Sequence, residues 1–184
     1  MANVKKPVII SALSFMILFF AGVPAPAQDD VNQLIEDLGH RNDQRQISAT
    51  KSLISIGSPA VRPLIDALNG HRNNIVRKNA ALTLGMLHSL EALDVLIGKL
   101  KDSNGMVRWA SAWSLGELRD DKAVQPLCEV LKDGVWSVRQ RAAEALGKIG
   151  NKSALNGLVL LLKDRESKVR DAAVKAINEI KNGG

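Results

Sequence analysis

Apolar residues in this chain recur at the spacing of amphipathic helices. In the segment 138–149 they fall at i, i+4, i+7, i+8 and i+11, namely Val138, Ala142, Ala145, Leu146 and Ile149. The shorter segment 127–131 has them at i, i+1 and i+4. Both spacings place the apolar side chains on one face of a helix, whereas a half-buried strand would alternate apolar and polar residues. Because no run of β-branched alternation occurs, the pattern predicts an all-α fold.

The two helical patterns repeat as a unit of 31 residues. The dipeptide Val-Arg recurs at 76–77, 107–108, 138–139 and 169–170. An apolar pentapeptide precedes it each time, at 64–68, 96–100, 127–131 and 158–162, and a weaker first copy is visible at 34–38 and 45–56. One pair of amphipathic helices cannot bury both of its apolar faces, but a stack of pairs can. The repeat therefore predicts an α-solenoid of about five helix pairs.

The central copies carry the same polar and small residues at the same spacing. The third has Asp102, Val107, Arg108, Ala112, Leu115 and Gly116, and the fourth has Asp133, Val138, Arg139, Ala143, Leu146 and Gly147. These residues resemble the HEAT repeat, and more closely the short HEAT-like repeats first described in phycobilin lyases. The resemblance covers residues 30–181. It implies a right-handed superhelix whose second helices line the concave surface, but the scaffold carries many unrelated functions.

The two end copies depart from the pattern. Arg45 and Gln46 stand in place of Val-Arg in the first copy, and Asn178 stands in place of the glycine in the fifth. Terminal repeats have one face in water and are usually atypical. We therefore expect both ends to be capped and the solenoid to be complete.

The first 27 residues are predicted to be a secretory signal peptide. They contain the basic start Lys5-Lys6, an apolar run at 8–23 and the small-residue site Ala25-Pro26-Ala27. This order is typical of a leader that is cleaved, here before Gln28, so that residues 28–184 form the HEAT-like repeat domain. The apolar run is shorter than the ~20 residues of a spanning helix, and an uncleaved membrane anchor is the alternative. We expect an exported protein, periplasmic or extracellular.

Composition argues against a nucleic-acid partner. Removal of Lys5 and Lys6 with the leader lowers the net charge from +6 to +4. The remaining charges alternate in sign, whereas a nucleic-acid-binding protein more often has a one-sided basic stripe.

Candidate catalytic and metal-binding residues are few. His40, His71 and His88 have no second histidine or carboxylate at metal-ligand spacing, which excludes the di-iron chemistry of HEAT-like hydroxylases. The single Cys128 cannot form an internal disulfide, and we expect it to be a small buried hydrophobe. No glycine-rich phosphate loop or serine–histidine pair is present. We expect no enzymatic activity, no metal and no cofactor.

Aspartate precedes the repeated arginine by six residues in three copies. The resemblance to HEAT-like repeats implies that these aspartate and arginine residues form a ladder of ion pairs, which links each copy to the next. The residues concerned are Arg77, Asp102, Arg108, Asp133, Arg139, Asp164 and Arg170. Their matched signs favour this structural role over a row that binds anions. His71 replaces the aspartate in the second copy, so the ladder is in doubt there.

Two tryptophans occupy positions that are mostly polar in the other copies. Trp109 and Trp113 are four residues apart and therefore share one helix face. The resemblance implies that this face is concave, so we predict an apolar binding patch of Trp109, Trp113, Leu82 and Met86. Polar residues are predicted to surround it: Lys78, Glu117, Gln140, Glu144 and Lys148. The alternative is that the tryptophans fold back on the neighbouring repeat and only fill space, for which the small Ser111 and Ser114 leave room.

The patch predicts an exported, non-enzymatic module or scaffold that binds a protein or peptide through its concave face. The second hypothesis is a lyase-like role, in which the groove holds a tetrapyrrole or another small molecule, as the resemblance to phycobilin lyases implies. Export argues against bilin attachment.

Overall fold

The computed structural model describes residues 28–182, which form ten α-helices and no strand. The first helices of the five pairs are α1 Gln28–Asp37, α3 Ser58–Gly70, α5 Leu93–Lys99, α7 Val124–Val130 and α9 Leu155–Leu161. The second helices are α2 Asp43–Ile56, α4 Asn74–Met86, α6 Gly105–Leu118, α8 Trp136–Ile149 and α10 Ser167–Asn182. The predicted all-α stack of five helix pairs is confirmed. The predicted signal peptide lies outside the described residues, and none of the described helices has both the length and the apolarity to span a membrane.

Local signals begin and end the helices where the repeat predicts. Asn42, Asn73 and Asn104 each precede a second helix, and each side chain accepts a backbone N–H of the first turn. Gly150 ends α8 in the left-handed conformation, with φ of 80°, which glycine adopts without steric cost. These signals set the helix lengths, so that each pair presents the same faces to its neighbours.

Successive second helices pack closely because a glycine in each meets a small residue of the next. A Cβ atom on Gly116 would lie 2.9 Å from the Cα atom of Ala145, and one on Gly147 would lie 2.9 Å from the Cα atom of Ala176. Gly85 faces Ser114 in the same way. The second helices contact one another far more than the first helices do. A stack bends toward its more closely packed layer, so the second helices line the concave surface.

The arginine ladder joins the turn of one copy to the turn of the next. Arg108 donates from Nε and Nη2 to the two carboxylate oxygens of Asp133, at 2.7 and 2.9 Å. Its Nη1 donates to the carbonyl oxygen of Asp102, six residues earlier, at 2.9 Å. Arg77 pairs with Asp102, and Arg139 with Asp164, in the same bidentate manner. Such pairs fix both the distance and the register between copies.

The junction between the first two copies lacks an arginine–aspartate pair. His40 and His71 occupy the aspartate position, and the Nδ1 atom of each accepts the backbone N–H two residues later, at 3.1 Å. Gln46 occupies the arginine position and donates to the carbonyl oxygen of His40 at 2.6 Å. The backbone contacts of the turn are therefore kept, while a contact between His71 Nε2 and Glu36 Oε1 at 3.3 Å stands in place of the arginine–aspartate pair.

The predicted C-terminal cap has exposed polar Asp171 and Asn178 on α10, but one apolar position that the earlier copies bury is exposed in it. Each earlier copy has a leucine at the position of Leu162, and it is at most 4% exposed; these residues are Leu38, Leu68, Leu100 and Leu131. Leu162 itself is 38% exposed. Within the part of the chain that the structure describes, Leu162 is thus less covered than its counterparts. Polar Gln33, Ser48 and Ser52, by contrast, occupy the outward positions of the first copy.

Candidate binding surface on the second helices

A cleft of about 330 Å³ opens between α2 and α4 on the concave surface. It is lined by Gln46, Ile47, Thr50, Lys51, Ile54, Asn79, Leu82 and Met86. Ile47 and Met86 are both more than 40% exposed, so the cleft offers apolar surface to a ligand. Its volume lies within the range of small-molecule and side-chain pockets.

The first copy lacks, beside the cleft, the glycine that draws the later second helices together. Ile54 stands at the position of Gly85, Gly116 and Gly147, one to three repeats earlier. By register, Ile54 faces Thr83, where the later copies have Ser114 or alanine. Two branched side chains at this crossing keep the helix axes further apart than glycine does. Accordingly α2 contacts α4 only sparsely, whereas α4, α6, α8 and α10 pack extensively in series.

Polar groups in the wall of the cleft are already hydrogen-bonded. The Asn79 amide nitrogen donates to the carbonyl oxygen of Leu38 at 2.7 Å and to Oε1 of Gln46 at 2.9 Å. The Thr50 hydroxyl donates to the carbonyl oxygen of Gln46 at 2.9 Å. What remains for a ligand is apolar surface, with the exposed Lys51 at the edge.

Trp109 and Trp113 are both half-buried, and their environments differ. Trp109 packs against the apolar core, and the Arg141 guanidinium lies over its ring, 4.4 Å from the centroid. Arg141 in turn donates from Nη1 to Glu144 at 2.6 Å. A guanidinium can stack flat on an aromatic ring, held by cation–π attraction, and still donate hydrogen bonds from its edge. One face of Trp109 is therefore covered by the next helix, as the space-filling alternative predicts.

The predicted polar rim divides into two halves. Toward the C-terminus the polar groups contact one another: Lys148 forms an ion pair with Glu117, and Gln140 Nε2 donates to Glu144 Oε1 at 2.8 Å. Toward the N-terminus, Leu82 and Met86 line the cleft, with half-buried Lys78 on the same helix. The apolar part of the surface is thus centred on α2 and α4, and Trp113 occupies on α6 the position that Leu82 has on α4.

Sequence reasoning missed Ile47 and Ile54. Both lie in the weak first copy, where the repeat pattern is hardest to align. Counting back 31 residues from Gly85 reaches Ile54, and counting back 62 from Trp109 reaches Ile47. The isoleucine at a position that is glycine in the next three copies was the sequence signal that could have indicated the cleft.

Replacing the tryptophans one at a time separates structural from binding roles. Trp109→Gln, with the residue of the next copy, is expected to lower the free energy of unfolding by about 1–3 kcal/mol, because packing on the core and on Arg141 is lost. Trp113→Glu is expected to change it by less than about 1 kcal/mol, since this side chain lies outside the core cluster. Chemical denaturation monitored by circular dichroism measures both. Equal losses for the two variants would contradict this division.

Other features of the described residues point to no chemistry. No group of three or more histidine, cysteine and acidic side chains among residues 28–182 could hold a metal ion. Cys128 is half-buried rather than fully buried, and burial raises the pKa of its thiol, which makes it a poor nucleophile. A wider depression of about 690 Å³ between α1 and α3 has a mixed lining, in which Arg62 pairs with Asp66 at 3.3 Å.

Comparison with known proteins identifies the scaffold. Three overlapping stretches, 31–102, 61–137 and 130–182, match the family model described as HEAT repeats. The search of curated proteins found no match. The chain is similar to a chain in the complex of CpcE and CpcF of phycocyanin lyase from Nostoc sp. PCC7120, at 26% identity and a TM-score of 0.74, over 82% of this chain and 99% of that one.

Engineered solenoids are also similar in fold. One engineered protein matches at 25% identity and a TM-score of 0.61, over 83% of this chain and 81% of that one. A designed armadillo repeat protein in complex with the peptide (KR)4 matches at 23% identity and a TM-score of 0.58, over 81% of each chain. Because the HEAT-repeat model spans most of residues 31–182, and the helix pairs stack as that family requires, the chain belongs to the HEAT-repeat family.

Proposed function

We propose that this chain is an exported, non-enzymatic HEAT-repeat protein that binds a protein or peptide partner along its concave surface. The observation that carries the proposal is the apolar cleft between α2 and α4; Trp113 is the counterpart of its lining residue Leu82 in the next copy. An exposed apolar cluster with polar surroundings is the usual appearance of a binding site on a soluble scaffold. Tryptophan and other large side chains supply most of the binding energy at such sites.

The charges beside the cleft indicate the chemistry of the partner. Lys51 is exposed in the cleft and Lys78 lies on the opposite helix. Helix α4 contains no acidic residue, and α2 has only Asp43, at its first position. A segment that inserts apolar side chains between the helices and places a carboxylate near the lysines would match both features. We propose an amphipathic, acidic segment as the partner.

Related scaffolds support a binding role without specifying it. The similar phycocyanin lyase chain is in a complex of two proteins, and the designed armadillo protein is in complex with a peptide. The first similarity also favours the second candidate function, a lyase-like or tetrapyrrole-binding role. In that case the cleft and Trp113 would hold a flat small molecule rather than a peptide.

Two matched variants test the concave site. Trp113→Glu introduces the residue of the next copy, and Leu90→Glu alters a side chain that is 61% exposed in the turn before α5. Envelope extract of the native host is passed over the wild type and both variants. We expect a specific protein to be retained by the wild type and by Leu90→Glu, and at least about tenfold less of it by Trp113→Glu, since an anchor contributes about 2 kcal/mol or more. A visible chromophore in the purified protein, lost in Trp113→Glu, would instead establish the small-molecule role.

Export is tested separately. We expect the protein made in a native-like host to begin at Gln28, because the small-residue site ends at Ala27. Amino-terminal sequencing of the material in each cell fraction measures this. A chain that begins at Met1 and stays with the membrane would establish the anchor alternative.

A further inference from the structure

We infer that one edge of the stack binds the surface of an anionic lipid bilayer. This edge consists of the turns between the two helices of each pair and the first two residues of each second helix, at 38–44, 71–75, 100–106, 131–137 and 162–168. We call it the ladder edge, because the arginine ladder joins these turns. None of the residues that line the concave cleft belongs to it, so the inference goes beyond the proposed function. Its exposed cations bind lipid phosphates, and four apolar side chains enter the head-group layer beside them.

The two edges of the stack differ in charge. On the ladder edge, ladder arginines bind three of the five acids, Glu166 is half-buried, and Asp43 is the exposed one. The exposed cations of the same segments are Arg41, Arg72, Lys101, Lys132, Lys163, Arg165 and Lys168. On the opposite edge, the segments that link one pair to the next carry three cations and three acids: Arg119, Lys122, Lys152, Glu91, Asp120 and Asp121. The ladder edge therefore has an excess of the charge that an anionic bilayer attracts.

Four apolar side chains are exposed among these cations. Ile75 and Met106 hold the same position in successive copies and are 38% and 54% exposed. Val135 and Trp136, where the fourth second helix starts, are 40% and 38% exposed. A Cβ atom on Gly105 would lie 3.3 Å from Cγ2 of Val135, so the turns of the third and fourth copies adjoin. The apolar side chains thus form a row across three copies.

Val135 and Trp136 depart from the way in which the two preceding second helices begin. Asn73 and Asn104 each accept a backbone N–H of the first turn, whereas Val135 at the same position makes no such hydrogen bond. Loss of the cap destabilises a helix, and the exposed valine and tryptophan gain little burial in exchange. A departure from a local rule without a gain for folding is typical of a functional position.

The combination of residues fits a lipid surface. Tryptophan is enriched at the level of the lipid head groups, and lysine can extend its ammonium group to a phosphate while its stem lies against apolar surface. Lys168 is placed for this role, with Nζ 5.3 Å from the centroid of the Trp136 ring. Neighbouring helix pairs are roughly 10 Å apart, so the cations are spread over a broad surface. A single-stranded nucleic acid would instead need several aromatic side chains for stacking, and the ladder edge has one.

Co-sedimentation with vesicles tests the charged part of the inference. Vesicles of equal parts phosphatidylglycerol and phosphatidylcholine are compared with vesicles of phosphatidylcholine alone, and we expect at least about tenfold tighter binding to the first. Lys132→Gln with Lys163→Gln is expected to weaken that binding by about tenfold or more, since each cation near an anionic surface contributes about fivefold. Lys122→Gln with Lys152→Gln removes the same charge from the opposite edge and should change it by less than about twofold.

A second double variant tests the apolar part. Val135→Asn with Trp136→Asn gives the fourth copy the helix start of the second, so we expect thermal unfolding at an unchanged or higher temperature. Binding to the anionic vesicles should fall by about tenfold or more. Leu90→Ser, on the opposite edge, is the matched control and should leave it unchanged.

Fluorescence shows whether Trp136 enters the lipid. The protein is purified from a native-like host, so that it carries the N-terminus it has in the cell. Brominated phosphatidylcholine in the anionic vesicles should quench part of the tryptophan fluorescence of the wild type. It should quench none in the double variant, which keeps Trp109 and Trp113. This readout reports on the ladder edge alone, whatever the N-terminus contributes to binding.

Equal losses for the two lysine pairs, or quenching that persists in the Val135→Asn and Trp136→Asn variant, would overturn the inference. So would a wild type that binds both kinds of vesicle equally and is not quenched. Retention on immobilised oligo(dT) or polyglutamate that requires Lys132 and Lys163, without binding to vesicles, would assign the ladder edge to another polyanion and overturn the assignment to lipid. None of these outcomes bears on the concave site, because Trp113 is unchanged in every variant.

Discussion

Replacing Gly116 with isoleucine is expected to destabilise the protein by about 3 kcal/mol or more. Even the Cβ atom of the new side chain would lie 2.9 Å from the Cα atom of Ala145, so two helix backbones must separate. Overpacking by a single methylene group costs about 1–3 kcal/mol, and isoleucine adds four carbon atoms at a site bounded by backbone. The substitution installs in the third copy the residue that the first copy has at Ile54. Denaturant unfolding measures the loss.

A second glycine provides the control. Gly98 lies in helix α5, and a Cβ atom added there would meet nothing within 4 Å. Gly98→Ala is therefore expected to leave stability unchanged or to raise it by up to about 1 kcal/mol, because alanine is the better helix former. Equal tolerance at both positions would show that close helix approach is not what the repeated glycine supplies. It would also remove our explanation of the cleft beside Ile54.

Arg139→Ala is expected to lower the free energy of unfolding by about 1–3 kcal/mol, because the variant strands a charged hydrogen-bond acceptor. Arg139 is only 7% exposed and binds Asp164 through two donors at 2.7 and 2.8 Å. Arg170→Ala is the matched control, since Arg170 makes the same backbone contacts without a carboxylate. The difference between the two losses measures the ion pair alone. An unchanged unfolding midpoint in Arg139→Ala, together with lost ligand binding, would assign the ladder to function instead.

The contribution of the Arg139–Asp164 pair is expected to depend on pH. Hydrogen bonds from Arg139 hold the pKa of Asp164 below its ordinary value. A carboxylate whose pKa is lower in the folded state stabilises the fold above its unfolded pKa of about 4, and this stabilisation is lost as the pH falls through the folded value. The stability difference between the wild type and Arg139→Ala should therefore shrink from pH 6 to pH 3. A constant difference would mean that packing, rather than the ion pair, explains the loss.

The candidate site could be predicted only in part. Leu82 and Met86 share one face of α4 and line the cleft, and a shared helical face follows directly from residue spacing. The half-burial of Trp109 could not be predicted, since it depends on Arg141, which reaches back from the following helix. The same position is polar in three of the other copies, as Lys78, Gln140 and Asp171, so comparison between copies favoured exposure. Side-chain direction across a helix–helix junction is set by packing that the repeat pattern does not contain.

The sequence alone determined the helix pairs, their number and the interfaces between them. The arginine, aspartate and glycine positions recur at a 31-residue spacing in the central copies, so that Arg139, Asp164 and Gly147 each reveal their structural role by repetition. Only the tertiary structure decided where the regular interface stops. It placed Ile54 at a helix crossing, where its bulk opens the cleft, and it left Leu162 uncovered although that leucine matches four buried counterparts. The physical reason is that periodicity specifies on which face of its helix a side chain lies, whereas its exposure depends on whether another helix packs against that face.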